Sequence, residues 1–278
     1  QLFIVEGSVF MTKNRIQILK EKMLSQPRYV SIEQALIITK TYKQHENEPI
    51  ILKRAYALAN ALRELEIGIE NEELIVGNRT KGVRYGVVFP ESGISWVDRE
   101  FETISTRKQD KFLVRDEDIK IFREQIVPYW KGKSLEDVIK QNFGKEISAI
   151  NKVVKINQTD HAQGHICPNV EKWLQKGVSG LLADAQNHYE NADEDKKNFY
   201  QAIIIVMKAV QNFMLRYHDL LIATAKDDEK NRASLIKVAD ICKNISQRPP
   251  QTFHEAVQAT WFLFVILHME SNASSFSP

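Results

Sequence analysis

The chain has 278 residues and 43% hydrophobic content, enough for one large core or two ordinary ones. Its 38 basic and 36 acidic residues are well interspersed, which excludes the one-sided field of a nucleic-acid binder or a polybasic membrane binder. Two cysteines, Cys167 and Cys242, exclude a disulfide framework, and 11 glycines without a G-x-G-x-x-G or Walker sequence argue against a phosphate-cradling α/β core.

Residues 1–10 precede the first methionine, Met11, and lack the basic segment and cleavage site of a signal peptide, so they are expected to lie outside the fold. The missing secretory segment and the cysteine usage together point to a reducing cytoplasm. From Lys13 the apolar positions Ile16, Leu19 and Met23 predict a helix. Ser31-x-x-Gln34 reads as a capping box opening a second helix, and Pro49 starts a third along Leu52, Ala55, Leu58, Ala59, Leu62 and Leu65. Leu74 to Gly77 and Val83 to Phe89 read as short strands broken by glycines and closed by Pro90.

Helices are expected again at 95–106, at 116–129 with a frayed end at Pro128, and after Ser134-x-x-Asp137. Residues 198–226 and 230–246 predict two long helices, Arg248-Pro249-Pro250 breaks the chain, and Thr252-x-x-Glu255 caps the last helix. From Ala256 to Met269 that helix is apolar on nearly every face and is expected to be buried all round. Its apolar run from Trp261 to Leu267 is far shorter than the roughly 20 residues that cross a bilayer. It runs into a Ser-rich loop at 271–277, from which further chain downstream is expected.

The densest chemistry lies between Thr159 and Gly180. Asp160, His161, His165 and Cys167 fall within eight residues and precede a helix expected to open at Pro168. A helix N-terminus presents free N–H groups, so this junction suits a pocket wall, although a solvated loop would read the same way. His161, His165 and Cys167 also have zinc-compatible chemistry. Three ligands without a C-x2-C partner make that a weak pattern, and no metal is assigned.

Several short blocks, in order, resemble the glycyl radical enzymes of the pyruvate formate-lyase superfamily, above all the branch containing the B12-independent glycerol and diol dehydratases. They include Ser31-Ile-Glu-Gln-Ala, Glu73-Leu-Ile-Val-Gly77, Phe89-Pro-Glu91, Tyr129-Trp-Lys-Gly132, Gly164-His165 leading to Lys176-Gly177, Pro250-Gln-Thr-Phe253 and Glu270-Ser-Asn272. The resemblance implies a mostly α chain with a few short β-strands, forming the N-terminal helical part of a ten-stranded α/β barrel over residues 11–278. The cysteine loop and the glycyl radical domain would then lie downstream.

The resemblance also implies an anaerobic lyase or dehydratase acting on a small polar substrate, with water, an amine or a sulfur group leaving. It implies that no cofactor is bound directly. A partner activating enzyme, using S-adenosylmethionine and an iron–sulfur cluster, installs a glycyl radical in what is expected to be a homodimer. His165 matches a substrate-hydroxyl-binding histidine, with a catalytic role. Ser274 and Ser275 fall where the family has a His-Ser pair that holds substrate. Ser275 matches and Ser274 departs, so glycerol itself does not carry over, because a site with different donors would leave a wrong substrate's polar groups unpaired. Cys167 stands in the wrong block for the thiyl residue, and Cys242 reads as a small buried thiol. Formate C-acetyltransferase activity and an inactive helical scaffold are the alternatives.

Overall fold

A computed structural model describes residues 15–155, 165–271 and 275–276, with His165, Ser275 and Phe276 described by their backbone alone. The protein is mostly helical. Residues 15–25 form α1. Next come β1 (Tyr29–Ser31), α2 (Glu33–Gln44), α3 (Ile50–Glu64), β2 (Tyr85–Val87), α4 (Ser95–Phe101), α5 (Asp116–Ile121), α6 (Val127–Trp130) and α7 (Leu135–Ile150). The chain then continues through β3 (His165–Ile166), α8 (Val170–Glu190), α9 (Glu194–Asp227), α10 (Arg232–Gln247), α11 (Phe253–Glu270) and β4 (Ser275–Phe276). The strands form two separate parallel pairs, β1 with β2 and β3 with β4. No helix among the described residues is long and apolar enough to cross a membrane. The expected extension at residues 1–10 lies outside the described residues.

Two large apolar cores, with a small third at Leu52, Ala55 and Ala202, flank the α2–α3 hairpin among the described residues. The larger joins α3 to α8–α11 around Phe213, Met214, Tyr217, Leu221, Leu235 and Phe262. The smaller gathers Ile38, Tyr42, Ile94, Phe101, Phe122 and Trp130 from α2 and α4–α6. Each shares α2 and α3, so one amphipathic hairpin supplies apolar side chains to both.

Several expected elements form as predicted. Ser134 Oγ accepts the Asp137 N–H at 3.2 Å, and Thr252 and Glu255 make a complete capping box at the start of α11. Helices α9 and α10 occupy the predicted stretches, α9 with an added acidic first turn at Glu194 and Asp195 that suits the positive end of the helix dipole.

Other expectations are corrected. Ser31 belongs to β1 and makes no capping box; the cap position of α2 is Ile32, and Gln34 turns inward to Met269 instead. Leu74 to Gly77 is no strand, because side chains of α11 take its backbone groups. His254 Nε2 donates to the Leu74 carbonyl at 2.7 Å, Gln258 bonds both the N–H and the carbonyl of Val76, and Trp261 Nε1 donates to the Gly77 carbonyl at 2.9 Å. Gly77 has φ of +127° and lies against the Phe262 ring, where a side chain would be both strained and crowded. Of Val83 to Phe89, Tyr85–Val87 forms a strand.

The helix expected over 95–106 stops at Phe101, after which short turns such as Thr103 N–H to the Glu100 carbonyl take over. Pro128 is not a frayed end. It sits in the first turn of α6, after a widened π-helical turn at Phe122–Ile126 that absorbs the clash of a proline ring with the preceding turn. The helix expected at Pro168 begins at Val170, capped by Asn169, whose side chain accepts the Lys172 N–H at 2.9 Å.

Finally, α11 is not buried all round. Its Ala259, Phe262, Val265, Ile266 and Met269 face the core, whereas Phe253 and Trp261 are 87% and 39% exposed. Its neighbours, among them α3, α8, α9 and α10, cover the core-facing side and leave the Phe253–Trp261 stripe open.

Candidate functional site

The two segments singled out as the site meet in the backbone. β3 lies in the 159–167 stretch, and β4 begins five positions after the end of α11. They pair in parallel, with His165 opposite Ser275 and Ile166 opposite Phe276. Each strand is anchored by a helix terminus: Asn169 caps α8 just beyond β3, and α11 delivers the chain to β4. Further along α8, Gly177 adopts φ of +61° and kinks the helix where a Cβ would stand 3.0 Å from Pro249. The kink seats the Lys176-Gly177 block against the Arg248-Pro249-Pro250 break.

Ser274, Asp160 and His161 lie outside the described residues. Cys167 is exposed. Among the described residues, no group of three or more His, Cys, Asp or Glu side chains could hold a metal ion. Cys242 is buried in α10, where burial pushes its thiol up to about 12, the character of an inert packing cysteine.

A polar cluster lies at the end of α11. Arg54 of α3 forms an ion pair with Glu270, the last residue of α11. Tyr42, Arg54, Glu91, Met269 and Glu270 line a cavity of about 20 Å³, about the room one water needs. Burial lifts the Glu91 carboxyl to about 7, with Arg54 opposing the shift and Glu270 adding to it. Its Oε2 is buried without a hydrogen-bond partner. Burial also raises the Tyr42 hydroxyl to about 12, while burial disfavours the Arg54 charge and the Glu270 bond outweighs it, raising Arg54 further. The Phe89-Pro-Glu91 and Glu270-Ser-Asn272 blocks carried a signal of this cluster. Arg54, on a helix read for its apolar period alone, did not.

The family model for pyruvate formate lyase-like proteins matches residues 11–278. A probable dehydratase of Escherichia coli, YbiW, is 32% identical over 89% of this chain and 32% of its own length. An isethionate sulfite-lyase of Oleidesulfovibrio alaskensis is 28% identical over 88% of this chain and 32% of its own length. The glycerol-bound form of the B12-independent glycerol dehydratase from Clostridium butyricum superposes with a TM-score of 0.89 at 32% identity, over 95% of this chain and 35% of that one. The chain thus spans about a third of the length of the relatives it matches. On the family match and these likenesses, the chain belongs to the pyruvate formate lyase-like superfamily of glycyl radical enzymes.

Proposed function

We propose that this chain is the N-terminal helical part of a glycyl radical lyase that eliminates water, or an amine or sulfur group, from a small polar substrate. In this reading the remainder of the ten-stranded barrel, the cysteine loop and the glycyl radical domain belong to chain beyond residue 278. The partner that activates it is an enzyme using S-adenosylmethionine and an iron–sulfur cluster, and the working assembly is a homodimer. The radical supplies removal of a hydrogen atom from a substrate carbon that bears a hydroxyl.

The part assigned to this chain is binding and proton handling. The hydroxyl on the reacting carbon must be held, and must lose its proton as negative character develops on its oxygen. A neighbouring group must leave, and must be given a proton as it departs as water or the corresponding neutral group. His165 suits the first task, because an imidazole with an ordinary pKa near 6.5 can donate or accept around neutrality. Ser275, with Ser274 beside it, adds an orienting hydrogen bond but is too weak an acid to replace the histidine. The observation that carries the reading is the strand register, which brings His165 and Ser275 opposite one another from distant parts of the sequence.

The test is His165→Ala in the activated full-length protein, with turnover and electron paramagnetic resonance read together. Turnover is expected to fall roughly 10²–10⁴-fold, the usual worth of a positioned acid–base group, while the glycyl radical signal stays intact. A full signal with unchanged turnover removes His165 from the site, and loss of the signal makes its role structural.

A further inference from the structure

The last four carbonyls of a helix have no donor within it. In α11 all four are satisfied, three of them by side chains from elsewhere in the fold. The Leu267 carbonyl accepts the Ser271 N–H at 3.2 Å. The His268 carbonyl accepts from Arg79 Nη1 at 3.3 Å, the Met269 carbonyl from Gln34 Nε2 at 2.9 Å, and the Glu270 carbonyl from Arg54 Nη2 at 3.5 Å. The Arg54 guanidinium also pairs with the Glu270 carboxylate.

Helices commonly end with a glycine in the left-handed region, which folds the chain back onto its own last turn. Here Ser271 is extended, with φ of −148° and ψ of 139°, so the chain does not fold back on the last turn of α11. Its exit is held by the loop after Gly77, by α2 and by α3. Two of the three donors are cations at the negative end of the helix dipole. Burial lowers the pKa of Arg79, which makes no ion pair among the described residues and spends a side-chain donor on the His268 carbonyl. Gln34 is almost wholly buried and leaves its Oε1 unpaired while its amide nitrogen serves Met269. Groups kept in such costly places mark a position that must be fixed.

We propose that Gln34, Arg54 and Arg79 are positioning residues for the candidate site, fixing the last turn of α11 and thereby the register that sets Ser275 opposite His165. The link to catalysis rests on the site reading given above. The register itself is measurable without substrate.

The test is backbone amide hydrogen exchange on the full-length protein, comparing wild type with Gln34→Leu, Arg79→Met and the double variant. Exchange at the β3 and β4 amides is expected to speed up tenfold or more in the double variant, while amides around Phe262 keep their protection. Unchanged exchange at β3 and β4 overturns the proposal. So does an equal loss along all of α11, which would mark these residues as general stabilisers. Should the double variant unfold, Arg54→Lys, which keeps the charge and loses the forked geometry, gives the same readout with a smaller perturbation. In the full-length enzyme, Gln34→Leu is then expected to lower kcat about tenfold with the glycyl radical signal unchanged. A disturbed register with unaltered kcat would leave the positioning standing and remove His165 and Ser275 from catalysis.

Discussion

The two ends of α11 are secured by opposite means. At the N-terminus, Thr252 and Glu255 cap the helix from within four residues of sequence, and Arg248 and Asn244 reinforce Glu255 from just upstream. At the C-terminus the donors are Gln34, Arg54 and Arg79, all more than 180 residues away. The first end is stable wherever the helix forms. The second exists only once α2, α3 and the loop after Gly77 have docked, so the strand that follows it is placed by tertiary structure.

The largest expected effect lies between the two ends. Phe262 is fully buried against Phe213 and Tyr217, so Phe262→Ala is expected to cost roughly 3–5 kcal/mol in chemical denaturation. Trp261→Ala, on the open stripe, is expected to cost less than half as much in this chain. Equal costs would mean that the stripe is covered. The exposed Phe253 and Trp261 should also bind a hydrophobic dye in the isolated chain, and an absence of binding would point the same way.

Acidity separates the two ends in opposite directions. Burial lifts Glu91, behind the C-terminal cluster, from an ordinary value of 4.5 to about 7. The folded state therefore binds more protons than the unfolded one between those values, and stability falls as pH rises through this window, by up to about 3 kcal/mol. Glu73, raised by burial to about 7, contributes in the same direction. Glu91→Gln is expected to flatten part of that slope. At the N-terminal end, burial opposes ionisation of Glu255, yet Arg248, the Gln251 N–H and Asn244 outweigh it and hold the carboxyl at about 2. Its contribution is present above 4.5 and is lost as pH falls toward 2, so Glu255→Gln should remove an acid limb from the stability profile. A slope of the reverse sign at either end would contradict this assignment. The smallest effect is the local cap, where Thr252→Ala is expected to cost about 1 kcal/mol, read as a lower denaturation midpoint.

The same contrast explains what the sequence discloses. Ser134 and Thr252 cap their helices as their spacing predicts, because donor and acceptor lie three residues apart. Ser31-x-x-Gln34 has equivalent spacing and fails, since the Gln34 side chain is spent on the Met269 carbonyl, 235 residues away. Leu74 to Gly77 has the composition of a strand, but Gln258, His254 and Trp261 supply its partners, and no local pattern could announce that. For the proposed site, His165 and Ser275 were singled out through family blocks, whereas their backbone pairing, and the Arg54, Glu91 and Glu270 cluster at the end of α11, needed the fold.

The most direct test of the central claim, that His165 and Ser275 act on one substrate, is a double-mutant cycle on kcat/KM in the activated full-length protein. His165→Ala, Ser275→Ala and the double variant should be non-additive by about 1 kcal/mol or more, as residues sharing one bound group are. Losses that add to within about 0.3–0.5 kcal/mol would show that the two residues act independently and would contradict the shared site.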